Sequence, residues 1–166
     1  TRVPLIMSFP KVIQPGSRCN QPVSLMDIYP TLVELTGFEK PNHLDGNSLV
    51  PQIKDPNTLS SPVISSYQFT WTNKPYGAHA VRSLNHRYIY YPEIGLEELY
   101  NHQTDPNEWH NVAYKSKNKK VIEKHRKVLL EMLPELKWEI ETPKGYTINK
   151  NGNIFVQNYS ELSVSK

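Results

Sequence analysis

The chain has 166 residues, 37% of them hydrophobic and 21% charged, a balance that excludes a disordered segment and gives enough length to bury a sizeable core. The net charge of +3 is small, so nothing in the overall balance demands a nucleic-acid or membrane-surface partner. One cysteine, Cys19, excludes an internal disulfide, and no apolar run approaches the roughly 18 residues of a membrane-crossing helix.

Val3 to Phe9 is apolar except at Pro4 and Ser8, the pattern of a strand covered on both faces. No second run like it follows, so its partners are expected from outside these residues, and the chain reads as the C-terminal piece of a longer polypeptide. Pro10 to Gln21 reads as a loop, with a turn at Pro15-Gly16. Ser24 to Thr36 is the first clear helix, with Leu25, Ile28, Tyr29, Leu32 and Leu35 spaced along one face. Ser24 or Asp27 caps it, Pro30 is tolerated in the first turn, and Gly37 ends it. Asp45-Gly46 then predicts a turn, Ser48 a cap, and Pro51 the stop of a short helical turn.

After a loop over Asp55 to Ser61, Val63 to Phe69 reads as a strand and Thr70 to Gly77 as a loop carrying Trp71 and Tyr76. His79 to Ser83, His86 to Tyr91 and Leu96 to Tyr100 read as an antiparallel meander turning at Leu84-Asn85 and at Pro92 to Gly95. Alternation sends Tyr88 and Tyr90 to one face and Arg87, Ile89 and Tyr91 to the other. Asp105-Pro106-Asn107-Glu108 has the form of a helix start with a capping box. Val121 to Leu133 is the second strong helix. Val121, His125, Val128, Leu129, Met132 and Leu136 share the face expected to cover the meander. Tyr146 to Asn149 and Asn153 to Val156 flank Asn151-Gly152, a strong hairpin signal, within a polar C-terminal stretch.

The chemistry-bearing residues form no reactive motif. Cys19 lies in Arg18-Cys19-Asn20-Gln21-Pro22, with nothing to lower a thiol pKa. The six histidines make no HxH or HExxH pattern, and no Gly-rich phosphate loop or acidic calcium cluster is present. Lys115, Lys117, Lys119 and Lys120 read as a solvated helix entrance rather than a nucleic-acid site, because no aromatics interleave with them.

Four blocks, ordered and correctly spaced, resemble the type I sulfatases, most of all the bacterial iduronate-2-sulfatase-like group. Thr1-Arg-Val-Pro-Leu-Ile-Met7 is similar to the family's "tRVPlI". Gln21 to Gly37 is similar to "pVslvDlyPTLleLaG", and Leu44 to Pro51 to "lDGrSLvPlL". The fourth block is the meander with its "EELY(D/N)" strand and "DPxEwxN" exit. The resemblance covers Thr1 to about Leu136.

The resemblance implies an α/β fold of the alkaline-phosphatase/sulfatase type. In it, residues 1–61 supply the last strand and helix of the large domain. Residues 62–138 form an antiparallel sheet of about four strands with one packed helix, and 139–166 are a polar extension. It implies a sulfuric ester hydrolase acting on a sulfated carbohydrate, periplasmic or secreted, with a formylglycine nucleophile and a calcium ion. Both belong to a missing N-terminal domain, the expected partner, since this chain lacks those motifs: position 21 is Gln and 23 is Val, so Cys19 fails C-x-P/A-x-R. The chain alone is therefore expected to be inactive and to hold no metal. Trp71, Tyr76, His79 and Arg82 are the candidates for lining the substrate cleft, the aromatics by stacking on sugar and Arg by pairing with sulfate or carboxylate. Each has a packing alternative, for Arg82 a bridge to Glu97 or Glu98. Two other functions compete: a phosphodiesterase or phosphonate hydrolase of the same superfamily, and a stand-alone carbohydrate-binding or assembly module.

Overall fold

A computed structural model describes residues 3–71, 74–91, 95–133, 146–148 and 154–156, with residues 68–71, 74–76 and the last two segments by backbone alone. The chain divides into two compact units, residues 1–63 and 64–166.

In the first unit, a capping box opens the helical stretch. The Ser24 hydroxyl accepts from the Met26 amide (3.2 Å) and Asp27 Oδ2 accepts from the Ser24 amide (2.8 Å). A 3-10 turn, Leu25–Asp27, leads into α1, Ile28–Thr36, which Gly37 closes at φ 73. The buried side of α1 is not the apolar stripe read from the sequence. Asp27, Pro30, Thr31 and Val33 are buried, while Leu25, Tyr29 and Leu32 are 76%, 53% and 49% exposed. The cause is a polar clamp. Asp27 Oδ1 accepts from the Asn47 amide (2.8 Å), and Thr31 Oγ1 accepts from the Leu49 amide (2.8 Å) while donating to the Asp27 carbonyl. These bonds draw the 46–49 loop onto the helix, and leaving one of their buried donors or acceptors unpaired would cost about 1–3 kcal/mol.

Val3 to Phe9, expected to find its neighbours outside these residues, pairs with no strand among the described residues, and Val3 and Ile6 are 76% and 88% exposed. One other reading of this unit needs correcting. Pro51 does not stop a helix but sits in the first turn of α2, Val50–Lys54, where its missing N–H leaves no bond unmade. The loop after α2 is tied back at Ser60, whose hydroxyl donates to the Pro22 carbonyl (2.8 Å).

The second unit is a four-stranded sheet in the order β1 (Val63–Trp71), β2 (Lys74–Arg82), β3 (His86–Tyr91), β4 (Leu96–Asn101). Its first hairpin overturns the loop expected over Thr70 to Gly77. Strand continues to Trp71 and resumes at Lys74, the β-rich, aromatic composition of this run prevailing over its Gly and Pro. β2 and β3 pair antiparallel with His79 opposite Tyr90 and Val81 opposite Tyr88, and β3 and β4 pair with Tyr88 opposite Leu99. Alternation therefore gathers Val81, Tyr88, Tyr90 and Leu99 on one face. There they pack with Ala113 and with Ile122 and Leu129 of α3, Lys119–Met132. α3 begins two residues before the predicted start and buries Ile122, while Met132 stays 62% exposed; Leu136 lies outside the described residues.

The exit from β4 is a loop, not the helix that Asp105-Pro106-Asn107-Glu108 suggests. Asp105 does cap, but its carboxylate accepts from the Trp109 (3.1 Å) and His110 (2.8 Å) amides, bonds that hold it below the usual carboxylate range. Glu108 sits at φ 59, which ends any helix. Instead of reaching back to the cap, its carboxylate takes Arg87 Nη1 (2.7 Å) and His102 Nε2 (2.6 Å). Asn111 then covers the edge of β4, accepting from the Leu99 (3.0 Å) and Ala113 (2.9 Å) amides and donating to the Glu97 carbonyl (3.2 Å). β5, Tyr146–Ile148, and β6, Ile154–Val156, form a separate antiparallel ladder, and the turn expected at Asn151-Gly152 lies outside the described residues.

Candidate functional site

The β1–β2 hairpin carries all four cleft candidates, at unequal positions. Trp71 ends β1 and Tyr76 lies near the start of β2. His79 is half-buried, with its Nδ1 2.9 Å from the Ser66 hydroxyl across the hairpin, and among the described residues its Nε2 has no partner. Arg82 lies three positions on, so the alternation of β2 puts it on the opposite face of the sheet from His79. Its Nη1 donates to the carbonyls of Ser83, Leu84 (3.1 Å) and His86 (3.2 Å), closing the β2–β3 turn. The bridge to Glu97 anticipated as its packing alternative is not the one the structure builds, because Glu97 is held by Arg126 of α3. Of the two described side chains of this set, His79 has a ring nitrogen without a partner among the described residues.

Beneath α3 the structure assembles two polar groups that the periodicity of the helix did not announce. In one, the Glu97 carboxylate, on the core face of β4, takes Arg126 Nε (2.5 Å) and Nη2 together with the Tyr88 hydroxyl (2.6 Å). Burial and the adjacent Glu97 charge push the Tyr88 hydroxyl far above its ordinary value, so it serves as a permanent donor. The bond to Glu97 likewise raises Arg126. On the other side of the sheet the Tyr91 hydroxyl, donating to Glu98 (3.3 Å), is pushed up to about 12 by burial and by that carboxylate.

In the second group His125 is 4% exposed, with Nδ1 2.7 Å from the Val121 carbonyl and Nε2 2.9 Å from the Ser83 hydroxyl. A carbonyl can only accept, so Nδ1 carries the proton and Nε2 accepts from Ser83. The His86 ring meets His125 edge-on at 5.9 Å. Burial, assisted by the Lys124 charge, lowers the His125 pKa, and burial with the His125 charge lowers that of His86. The spacing is that of a nucleophile and its base, but no carboxylate orients the imidazole and the helix lies over it, so the arrangement packs rather than reacts.

The lowered values have a signed consequence. The unfolded state binds protons near pH 6.5 and the folded state only below it, so stability is fully present above about pH 6.5 and is lost as pH falls through the depressed folded values. In His125→Gln the melting temperature should be lower at pH 8 and fall less steeply between pH 7 and pH 5, His86 supplying the remaining slope. An unchanged slope in a pH series of thermal melts would remove His125 from this role.

Among the described residues no group of three or more His, Cys, Asp or Glu side chains could hold a metal, and none of their helices is long and apolar enough to cross a membrane. Cys19 is exposed, its thiol donating to the Pro56 carbonyl (3.3 Å), with no residue set for formylglycine formation beside it. These residues do not fit a calcium–formylglycine centre, and no step through one follows from them.

A four-stranded sheet covered by one helix, with His79 on its first hairpin, is the C-terminal part of a sulfatase fold. Residues 1–135 match the family model described as N-sulphoglucosamine sulphohydrolase, C-terminal, and the chain belongs to that family. It is 34% identical over 147 residues to a sulfatase of Formosa agariphila, covering 89% of this chain and 27% of that one. It is 30% identical to the Delta 4,5-hexuronate-2-O-sulfatase of Bacteroides thetaiotaomicron, covering 78% of this chain and 28% of that one. A solved 2-O GAG sulfatase superposes over 66% of this chain and 24% of its own with a TM-score of 0.57 at 29% identity. The chain thus spans about a quarter of the length of these relatives.

Proposed function

We propose that the chain forms the C-terminal portion of a longer sulfuric ester hydrolase, acting on a sulfated carbohydrate and working in the periplasm or outside the cell. The observation that carries this is the family match over residues 1–135. Relatives whose names specify hexuronate-2-O and GAG sulfates support the carbohydrate class. The exposed apolar faces support a partner domain: Val3 and Ile6 at the start, and Leu25, Tyr29 and Leu32 on α1, are what an N-terminal domain would cover. The calcium ion and formylglycine nucleophile of the proposal lie in that domain.

In this reading the β1–β2 hairpin forms one wall of the substrate cleft. His79 offers Nε2 to the substrate, Trp71 and Tyr76 offer aromatic rings, and Arg82 closes the β2–β3 turn at the end of β2. The test is His79→Ala in the longer enzyme. Losing one hydrogen bond to a charged substrate group should lower kcat/KM by about tenfold, with the melting temperature unchanged. A lower melting temperature with unchanged kcat/KM would return His79 to packing.

A further inference from the structure

The segment 115–127 holds seven Lys and Arg residues against one acid, Glu123, for a net charge of +6, whereas the whole chain carries only +3. The remainder of the chain is therefore net negative, and its basic character is concentrated in thirteen residues. Arg126 is turned inward to Glu97. The others point out: Lys115, Lys117, Lys119, Lys120, Lys124 and Lys127 are all exposed. Among the described residues the carboxylate that reaches any of them is Glu131, 3.8 Å from Lys127, an exposed contact that contributes little.

Their arrangement is linear. Lys120, Lys124 and Lys127 fall at i, i+4 and i+7 of α3, one stripe that runs about 10 Å at 1.5 Å per residue. Lys115 and Lys117 extend the charge beyond the helix start. Helix stability does not explain them, because the first turn contains no acidic residue and cations there oppose the helix dipole. The segment carries a field looking for an anion rather than one balanced within the fold.

We propose that this lysine stripe is a docking surface for a sulfated polysaccharide, held through its sulfate and carboxylate groups. The choice of polysaccharide rests on the sulfated-carbohydrate reading of the enzyme. Lysine gives point-charge contacts that follow a flexible, irregularly sulfated chain, with no planar fork demanding one geometry. Nucleic acid fits less well. Residues 115–124 contain no aromatic side chain on which bases could stack.

Heparin serves as the probe, titrated against the 166-residue chain at several salt concentrations. The stripe variant carries Lys115→Gln, Lys117→Gln, Lys120→Gln and Lys124→Gln. A control of equal net charge carries Lys11→Gln, Arg18→Gln, Lys40→Gln and Lys54→Gln, all exposed in the first unit. The stripe variant should bind heparin at least about tenfold more weakly at 0.1 M salt, with a shallower dependence of log K on log salt, while the control stays within about threefold. Circular dichroism verifies folding, and the pair Lys120→Gln/Lys124→Gln should show an intermediate loss. Equal weakening in stripe variant and control, or none in the stripe variant, overturns the proposal. So does an oligonucleotide of matched charge that binds the stripe as tightly as heparin does. Heparin binding needs no turnover, so a longer protein without sulfatase activity would defeat the functional reading and leave this result standing.

Discussion

Arg126→Met should destabilise the C-terminal unit by about 3 kcal/mol, the low end of the cost of breaking one side of a buried ion pair. Glu97 is 6% exposed and faces the core from β4, with two of its contacts coming from the Arg126 guanidinium and a third from Tyr88, itself fully buried. Without Arg126 the carboxylate remains under α3 with a single hydroxyl donor. Because the Arg126 side chain is a quarter exposed, water can reach part of the gap, which holds the cost at the low end. Adding Glu97→Gln to Arg126→Met should recover more than half of the loss, since an amide at that site leaves no buried charge. Urea unfolding of the single and double variants measures both. A single-variant cost below about 1 kcal/mol would mean that the pair is solvated and that α3 is held by its apolar contacts and His125 instead.

Gly46→Ala should be as costly in the first unit, for a steric reason. A Cβ at residue 46 would fall inside contact distance of the Met26 carbonyl, backbone against backbone, so neither side can swing away. The 46–49 loop must lift, which breaks the bonds from the Asn47 and Leu49 amides to Asp27 and Thr31. Overpacking of this kind costs about 2–3 kcal/mol, and each lost buried bond adds to it. Hydrogen exchange reads the outcome directly: the Asn47 and Leu49 amides should lose protection. Gly16→Ala is the contrast, since no atom lies within 4 Å of the new Cβ and only the positive φ of 74 resists it, at about 1 kcal/mol. Equal effects of the two substitutions would show that the 46–49 loop yields to the added methyl and that the close approach to Met26 does not select glycine at 46.

These two sites show which parts of the fold can be read from residues in order. The meander could be, because alternation over His86–Tyr91 and an Asn in the turn are local signals, and Tyr88 and Tyr90 do face the core. The helix start at Ser24 and its end at Gly37 were equally local. The buried face of α1 was not, because it is set by hydrogen bonds to a loop twenty residues away, and a periodicity that counts only apolar residues points to the opposite side. The Asp105 segment misled for a related reason. Its capping box is a sequence coincidence until Glu108 meets Arg87 and His102, which lie on other elements. Val3 to Phe9 reads as a strand because its composition suits one, but its ladder partners are expected outside these residues, so no strand forms within them. For the candidate site, the resemblance named four residues that fall on one hairpin. It could not foresee that alternation separates His79 from Arg82, or that Arg82 would turn to its own backbone carbonyls.

The most direct test compares aryl sulfate hydrolysis by the 166-residue chain with hydrolysis by a longer polypeptide translated from the same reading frame. If reactive groups and supporting wall are divided between two parts of one enzyme, the chain releases no sulfate above the blank and the longer polypeptide turns over. Steady hydrolysis by the 166 residues alone would contradict that division.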